Sequence, residues 1–452
     1  MPQRLRHLVM TTALSVAALC TAPAIAADEE TTVAPEVQRW EAREGAPVYF
    51  VQTSEVPMVD IAVVFDAGSA RDGDTPGLAR LTARSLDQGV NELDASELAR
   101  RLEDTGAQLS ASVDRNQSRI HLRSLTAEEP LSQATALLRR VLASPTFSDE
   151  AVARELRRMR QALRTERQSA ARTAERALYQ AMYGDHPYAT APAGTEESLA
   201  SLSPEQVARF HATHYVAANA GIAIVGDLAR EKAETLANRL LDALPAGEPA
   251  PPLPQPSTEV AEEEVRIDFP GTQTVIMMGQ PAIARGEEAL EYPLRVANQV
   301  LGGSGLVSRL FQAMREERGL SYSTASRLQV APVRGPWLVR TSVETQRSEE
   351  ALAVLREEVN RLNREGLSAE EIHEAVRHLT GSFPLALASN AGLIRQLSVM
   401  AAHRLPADHL AHYVPRMEAV DPTAVREALD TRLHPEQMAT VIVGPQAEEK
   451  EE

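Results

Sequence analysis

Hydrophobic and polar positions recur along this chain in two matching series. Ser203–Asp227 and Asp421–Pro445 align without a gap, 218 positions apart. Each reads as a capping residue (Ser203 or Asp421), a proline at the first helical position and a short helix. A continuous apolar run ending in glycine follows, Ile224-Val225-Gly226 or Ile442-Val443-Gly444. That order predicts a capped helix followed by a buried strand. A second pair lies upstream. Phe147-Ser148-Asp149-Glu150 opens a helix through Gln161, and Leu367-Ser368-Ala369-Glu370 opens its counterpart. Val59–Phe65 and Thr274–Met278 read as the leading strands, and Gln108–Val113 with Ser118–Ser124 as a hairpin across Asp114–Gln117. The pattern predicts an α+β protein of two homologous lobes, clam-like overall, each an antiparallel-rich sheet with helices packed on one face.

The periodicity stops at Pro245–Pro256, where proline is too dense for a helix or a central strand. The expected organisation is a lobe over 27–244, an extended linker over 245–262, a second lobe over 263–446 and an acidic tail over 447–452. Residues 1–26 read as a secretory signal peptide. Arg4, Arg6 and His7 precede the apolar run Leu8–Leu19, and Ala24-Ile25-Ala26 supplies small residues for cleavage. The apolar run is too short to span a bilayer, and no later stretch predicts a transmembrane helix. These features imply export to the periplasm.

Charge and cysteine content narrow the function. The single cysteine, Cys20, falls in the leader, so an oxidising compartment is compatible and no disulfide is expected. The net charge is −17, and loss of Arg4 and Arg6 with the leader makes it two units more negative. An acidic chain without a basic block excludes nucleic acid as an expected partner.

Several segments, in order, resemble the insulinase/pitrilysin-type zinc peptidases, which include the mitochondrial processing peptidase. They are Gly68–Asp72 with Pro76–Ala79, Gly184–Tyr188 with Gly194–Glu197, His214-Tyr215 with Asn219, and Leu301–Gly305 with Ser308–Phe311 and Arg315–Tyr322. The resemblance implies a metal site of the form H-x-x-E-H on a helix, with a distant glutamate as third ligand. At the matching positions this chain has Arg80, Ala83 and Arg84, and Gln161 or Ala162 at the distant one. Arginine is a permanent cation and cannot become a ligand, so this chain is expected to bind no metal. The family's second lobe supplies an arginine and a tyrosine seven residues apart that hold the substrate carbonyl and its oxyanion. Arg315 and Tyr322 keep that spacing. Arg315 is expected to end a helix with Leu306, Leu310 and Met314 on its apolar face, and Tyr322 to begin a strand. The bland alternative pairs Arg315 with a surface acid and packs Tyr322 between the lobes. In the family a loop like Gly302-Gly303-Ser304-Gly305 lies beside the substrate chamber; otherwise it is a tight turn before Leu306.

The resemblance therefore implies a non-catalytic, substrate-binding subunit of a heterodimeric zinc peptidase acting on peptides or small unfolded proteins. A homologous H-x-x-E-H partner would carry the zinc. A stand-alone envelope peptide-binding or scaffold protein is the alternative from another class, and an enzyme with a rewired metal site is a third. Ser110 stands where the family often has asparagine on a substrate-accepting edge strand. Ser69, Ser304 and Ser308 lack a nucleophile context. His211 and His214 are expected to pack or face solvent, and His186 to cap local backbone.

Overall fold

The computed structural model describes residues 34–261 and 263–445. The leader (1–26) and the acidic tail (447–452) read from the sequence lie outside the described residues. Thirteen strands are present among those described: β1 (Gln38–Glu41), β2 (Pro47–Gln52), β3 (Met58–Phe65), β4 (Gly89–Val90), β5 (Leu93–Asp94), β6 (Gln108–Val113), β7 (Ser118–Leu125), β8 (Ala220–Gly226), β9 (Glu264–Asp268), β10 (Gln273–Ile283), β11 (Thr324–Leu328), β12 (Gly335–Glu344) and β13 (Ala439–Gly444). β4 and β5 form a small ribbon. The others form two sheets, β1-β2-β8-β3-β7-β6 and β11-β12-β10-β13-β9.

The two sheets share one topology. Taken from β9, the second sheet runs β9-β13-β10-β12-β11, strand for strand the equivalent of β2-β8-β3-β7-β6. β2 and β8 are parallel, as are β9 and β13, while the remaining pairs in both series are antiparallel. The repeated capping pattern has its expected geometry. Ser203 Oγ accepts from Gln206 N–H and an Asp421 carboxylate oxygen from Ala424 N–H, each ahead of a proline at the first helical turn. The apolar runs that follow are β8 and β13, buried along their whole length.

Complete burial of a strand requires cover on both faces, and this is where the halves interlock. One face of the first sheet, with Val59, Ile61, Val63 and Phe65, packs on helices of its own half through Leu81, Leu86, Leu138 and Phe210. Its other face, with Ala62, Val64, Ala223 and Val225, packs on Leu393, Leu397 and Met400 of the Asn390–His403 helix, which belongs to the second half. The second sheet repeats this. Ile276, Met278 and Val339 face their own helices through Leu294, Leu355 and Leu429. Val275, Met277, Val441 and Val443 face Ala174, Leu178 and Met182 of the Ala170–Tyr183 helix from the first half. Beyond the helices expected on one face, each sheet thus takes a second cover from the opposite half.

Gly221 makes one of these contacts possible. A Cβ there would lie 2.6 Å from the carbonyl oxygen of Ala401, so only glycine lets the helix sit this close to β8. The proline-rich connection has no regular structure and is tied to the first half. Ala217 N–H donates to Pro245 O, Ala250 N–H to Asn219 Oδ1, and His186 Nε2 lies 2.8 Å from Pro254 O.

Candidate functional site

The segment that matches the metal-binding helix of the resembled peptidases is built around a buried aspartate. Asp72 accepts from Gly77 N–H and Ala79 N–H, each at 2.7 Å, and so anchors the start of the Leu78–Ser85 helix. Burial pushes its carboxyl up to about 7, against the two backbone donors that favour the ionised form. Arg71 beside it forms a two-pronged pair with Asp66 at 2.8 and 2.6 Å.

Arg80 and Arg84, one turn apart, share a face of this helix, as the two histidines of a metal site would. Arg84 Nε donates to Glu155 Oε2 at 3.0 Å. Glu155, on the adjacent Asp149–Glu166 helix, is 1% exposed and also pairs with Arg158. Arg80 approaches Glu166 at 3.9 Å. Ala83 is buried and Gln161 is exposed. Arg80, Arg84 and Ala162 meet around a cavity of about 40 Å³ that Arg158, Met159 and Ala193 complete. The residues do not fit zinc: two guanidinium groups and an alanine occupy the ligand and base positions, and the neighbouring carboxylate is engaged by two arginines. Among the described residues no group of three or more His, Cys, Asp or Glu is placed to hold a metal ion. Glu155 was missed by the sequence reading; its signal is a lone acid in the basic run Arg154–Arg160.

In the second half, the helix from Glu288 ends in a π-turn, Gln299–Gly303. Gly302 abuts β11, where a Cβ would come within 2.4 Å of Ser326 N. Ser304 N–H closes onto Gln299 O, and Gly305–Val307 forms a 3-10 turn. Leu306 and Val307 are 71% and 73% exposed. This corrects the expectation that Leu306 shares an apolar face with Leu310 and Met314. Those two are fully buried, but Ser308 caps a new helix through Phe311 N–H and separates Leu306 from it.

Arg315 lies in the π-turn Gln312–Glu316 that continues this helix. Its guanidinium carbon sits 4.0 Å from the centroid of the Tyr322 ring. Tyr322 is 82% exposed and precedes β11, which starts at Thr324, a second correction to the sequence reading. Among the described residues Arg315 forms no ion pair with an acid, and the exposed ring of Tyr322 is not packed between lobes, so neither part of the bland alternative is present. The structure brings Arg315 to Tyr322, but among the described residues no hydrogen bond or ion pair joins them to Arg80 or Arg84. Among the described residues neither side chain has a hydrogen-bond partner, so the guanidinium N–H groups and the phenol O–H remain available as donors.

The histidines have structural settings. His211 Nε2 lies 2.9 Å from Leu142 O, and burial lowers its pKa to about 4. Its ring stacks on Tyr215. Burial also lowers the pKa of His214. His186 Nδ1 accepts from Tyr188 N–H, the expected backbone cap. Among the described residues no helix is long and apolar enough to cross a membrane.

Two family models match this chain. One, described as Insulinase (Peptidase family M16), covers residues 48–196, and the other, Peptidase M16 inactive domain, covers 201–379. The crystal structure of a peptidase M16 inactive domain from Pseudomonas fluorescens is similar at 33% identity and a TM-score of 0.86, over 91% of this chain and 98% of that one. A Helicobacter pylori protein named non-peptidase homolog YmxG is 27% identical over 343 residues, 75% of this chain and 78% of that protein. The periplasmic protease PqqL of Escherichia coli shares the fold, with 19% identity and a TM-score of 0.74 over 91% of this chain and 46% of that one.

Proposed function

Because the chain belongs to the M16 (insulinase) peptidase family, we propose that it is the non-catalytic, substrate-binding subunit of a heterodimeric zinc peptidase in the periplasm. A homologous H-x-x-E-H subunit carries the metal and the general base. This chain supplies chamber wall, including the Gly302–Gly305 loop, and completes the partner's site with Arg315 and Tyr322. Peptides or small unfolded proteins are the substrates.

The observation that carries the reading is a contrast between the halves. Where a metal would sit, Arg84 and Arg158 pair with the buried Glu155, and Arg80 approaches Glu166. By contrast, the half-buried Arg315 stacks on a Tyr322 ring that is largely exposed. A guanidinium and phenol held together suit the stabilisation of negative charge developing on a carbonyl oxygen. Their role is electrostatic: each donates to that oxygen, and neither forms a covalent bond to substrate.

The test is co-expression with an H-x-x-E-H homologue and an assay of peptide cleavage. Arg315→Ala and Tyr322→Phe are each expected to lower kcat by about 10²-fold, the scale for removing one oxyanion donor, with the complex still assembled on gel filtration. Unchanged turnover in both complexes rejects the assigned roles. A chain that ignores every such partner and forms only a stable homodimer rejects the heterodimer.

A further inference from the structure

Next to the Arg80 network lies a larger cavity of about 390 Å³, within the size range of ligand pockets. Its most distinctive property is its charge. Arg80, Arg115, Arg167, Arg172 and Arg176 line it from the first half, and Arg327 reaches it from β11 in the second. Only three acids share the wall, Asp114, Glu166 and Glu175, in a chain whose net charge is −17.

Those acids are already engaged. Glu175 pairs with Arg172 at 2.9 Å, and Glu166 is approached by Arg80. Asp114 Oδ1 accepts the backbone N–H groups of Asn116 and Gln117 within its own turn. Arg115 stacks over the Tyr179 ring with its guanidinium carbon 3.4 Å from the centroid, and its Nε donates to Tyr188 O. Among the described residues, Arg115, Arg176 and Arg327 have no carboxylate partner. A recess lined by one sign of charge concentrates the opposite sign, and guanidinium forks match carboxylate geometry.

The remaining wall indicates which anion. Ala191, Pro192 and Ala193 are partly exposed apolar surfaces beside the arginines, which a bare inorganic anion would leave unused. Val113, at the end of β6, also lines the cavity, and both β6 and β11 are outermost strands of their sheets. Unpaired strand edges beside a charged recess suit an extended polypeptide.

We propose that this cavity binds an acidic peptide segment, its carboxylates meeting Arg176 and Arg327 and its apolar side chains resting on Pro192 and Ala193. The inference rests on the reading of the chain as a substrate-binding subunit and names the substrate class.

The experiment uses the isolated mature chain and fluorescein-labelled hexapeptides read by anisotropy. One peptide alternates Glu with Leu, and its counterpart carries Lys in place of Glu. The acidic peptide is expected to bind at least about tenfold more tightly, and more weakly as salt rises. Arg176→Glu combined with Arg327→Glu is expected to abolish that preference. Both side chains are exposed, so the fold should persist, and Arg176→Gln with Arg327→Gln gives an intermediate loss if charge is the cause. Equal affinity for the two peptides, or an unchanged preference in both variants, overturns the proposal. Inorganic phosphate that displaces the peptide at a concentration below the peptide's own Kd also overturns it, by assigning the cavity to a small phosphate-bearing anion. Binding and turnover separate the two readings. Partner-dependent cleavage without acidic preference sinks this inference alone. Acidic binding without activity in any H-x-x-E-H complex sinks the functional reading alone.

Discussion

The exchange of helices between halves makes a sharp prediction about cooperativity. Leu397 lies on the Asn390–His403 helix of the second half, fully buried against the sheet of the first. Leu397→Ala removes three carbon groups, worth about 2.4 kcal/mol at ~0.8 kcal/mol each. The cavity left behind raises the cost to about 3 kcal/mol, within the range for buried leucines. With a urea m-value at or above about 3 kcal/mol/M for a chain this long, the midpoint falls by up to about 1 M. The chain has two tryptophans, one per half: Trp40 on β1, and Trp337 on β12, whose indole N–H bonds Asn298 Oδ1 at 3.0 Å. Trp40→Phe and Trp337→Phe backgrounds therefore give one fluorescent reporter for each half. The expected result is a single transition in both backgrounds, shifted equally by Leu397→Ala. Separate transitions, or a shift confined to one reporter, would refute the argument that the sheets share their covers.

Two further outcomes follow from the site. In a double-mutant cycle, Arg84→Met and Glu155→Gln should couple by about 1 kcal/mol in urea unfolding. That value is below the scale for a broken buried pair because Arg84 is 41% exposed and Arg158 still reaches Glu155; additivity within about 0.5 kcal/mol would remove the network from the account. Asp72, raised to about 7 when folded, holds a proton that the unfolded chain releases near pH 4, so its contribution to stability is present below pH 4 and lost as pH rises through 7. Stability against pH for Asp72→Asn should accordingly fall less steeply between pH 4 and 7 than for the parent, and parallel curves would count against the raised value.

Much of this architecture is legible in the residues because its signals are local. Proline after a capping serine or aspartate, and an apolar run closed by glycine, mark the Ser203 and Asp421 segments whatever surrounds them. The β6–β7 hairpin is legible for the same reason, since alternation along Ser118–Leu125 puts every second side chain inside. The Leu306 misreading has a physical source. Its spacing from Leu310 fits a helix, but the helix starts only at Arg309, capped by Ser308, and Leu306 stays outside it in an exposed 3-10 turn. Tyr322 has strand-like neighbours, yet Ser321 and Ser323 bond one another and hold the chain in a bend before β11. Neither Glu155 nor the arginine-lined cavity is local. Both depend on which helices lie side by side. The exchange of covers is equally hidden: the apolar face of Ala170–Tyr183 says that it packs, but not against which sheet.

Ser148 and Ser368 begin equivalent helices, and Ser169 and Ser389 cap the two that cross over, each pair 220 positions apart. Each crossing helix lands on corresponding strands, β10 and β13 or β3 and β8. That reciprocity is the contact pattern of a twofold-symmetric homodimer whose subunits swap one element. One half alone would leave a face of its sheet bare and would need a second copy to cover it. In this chain the other half supplies the covering helix, so the meeting of two copies takes place within one molecule.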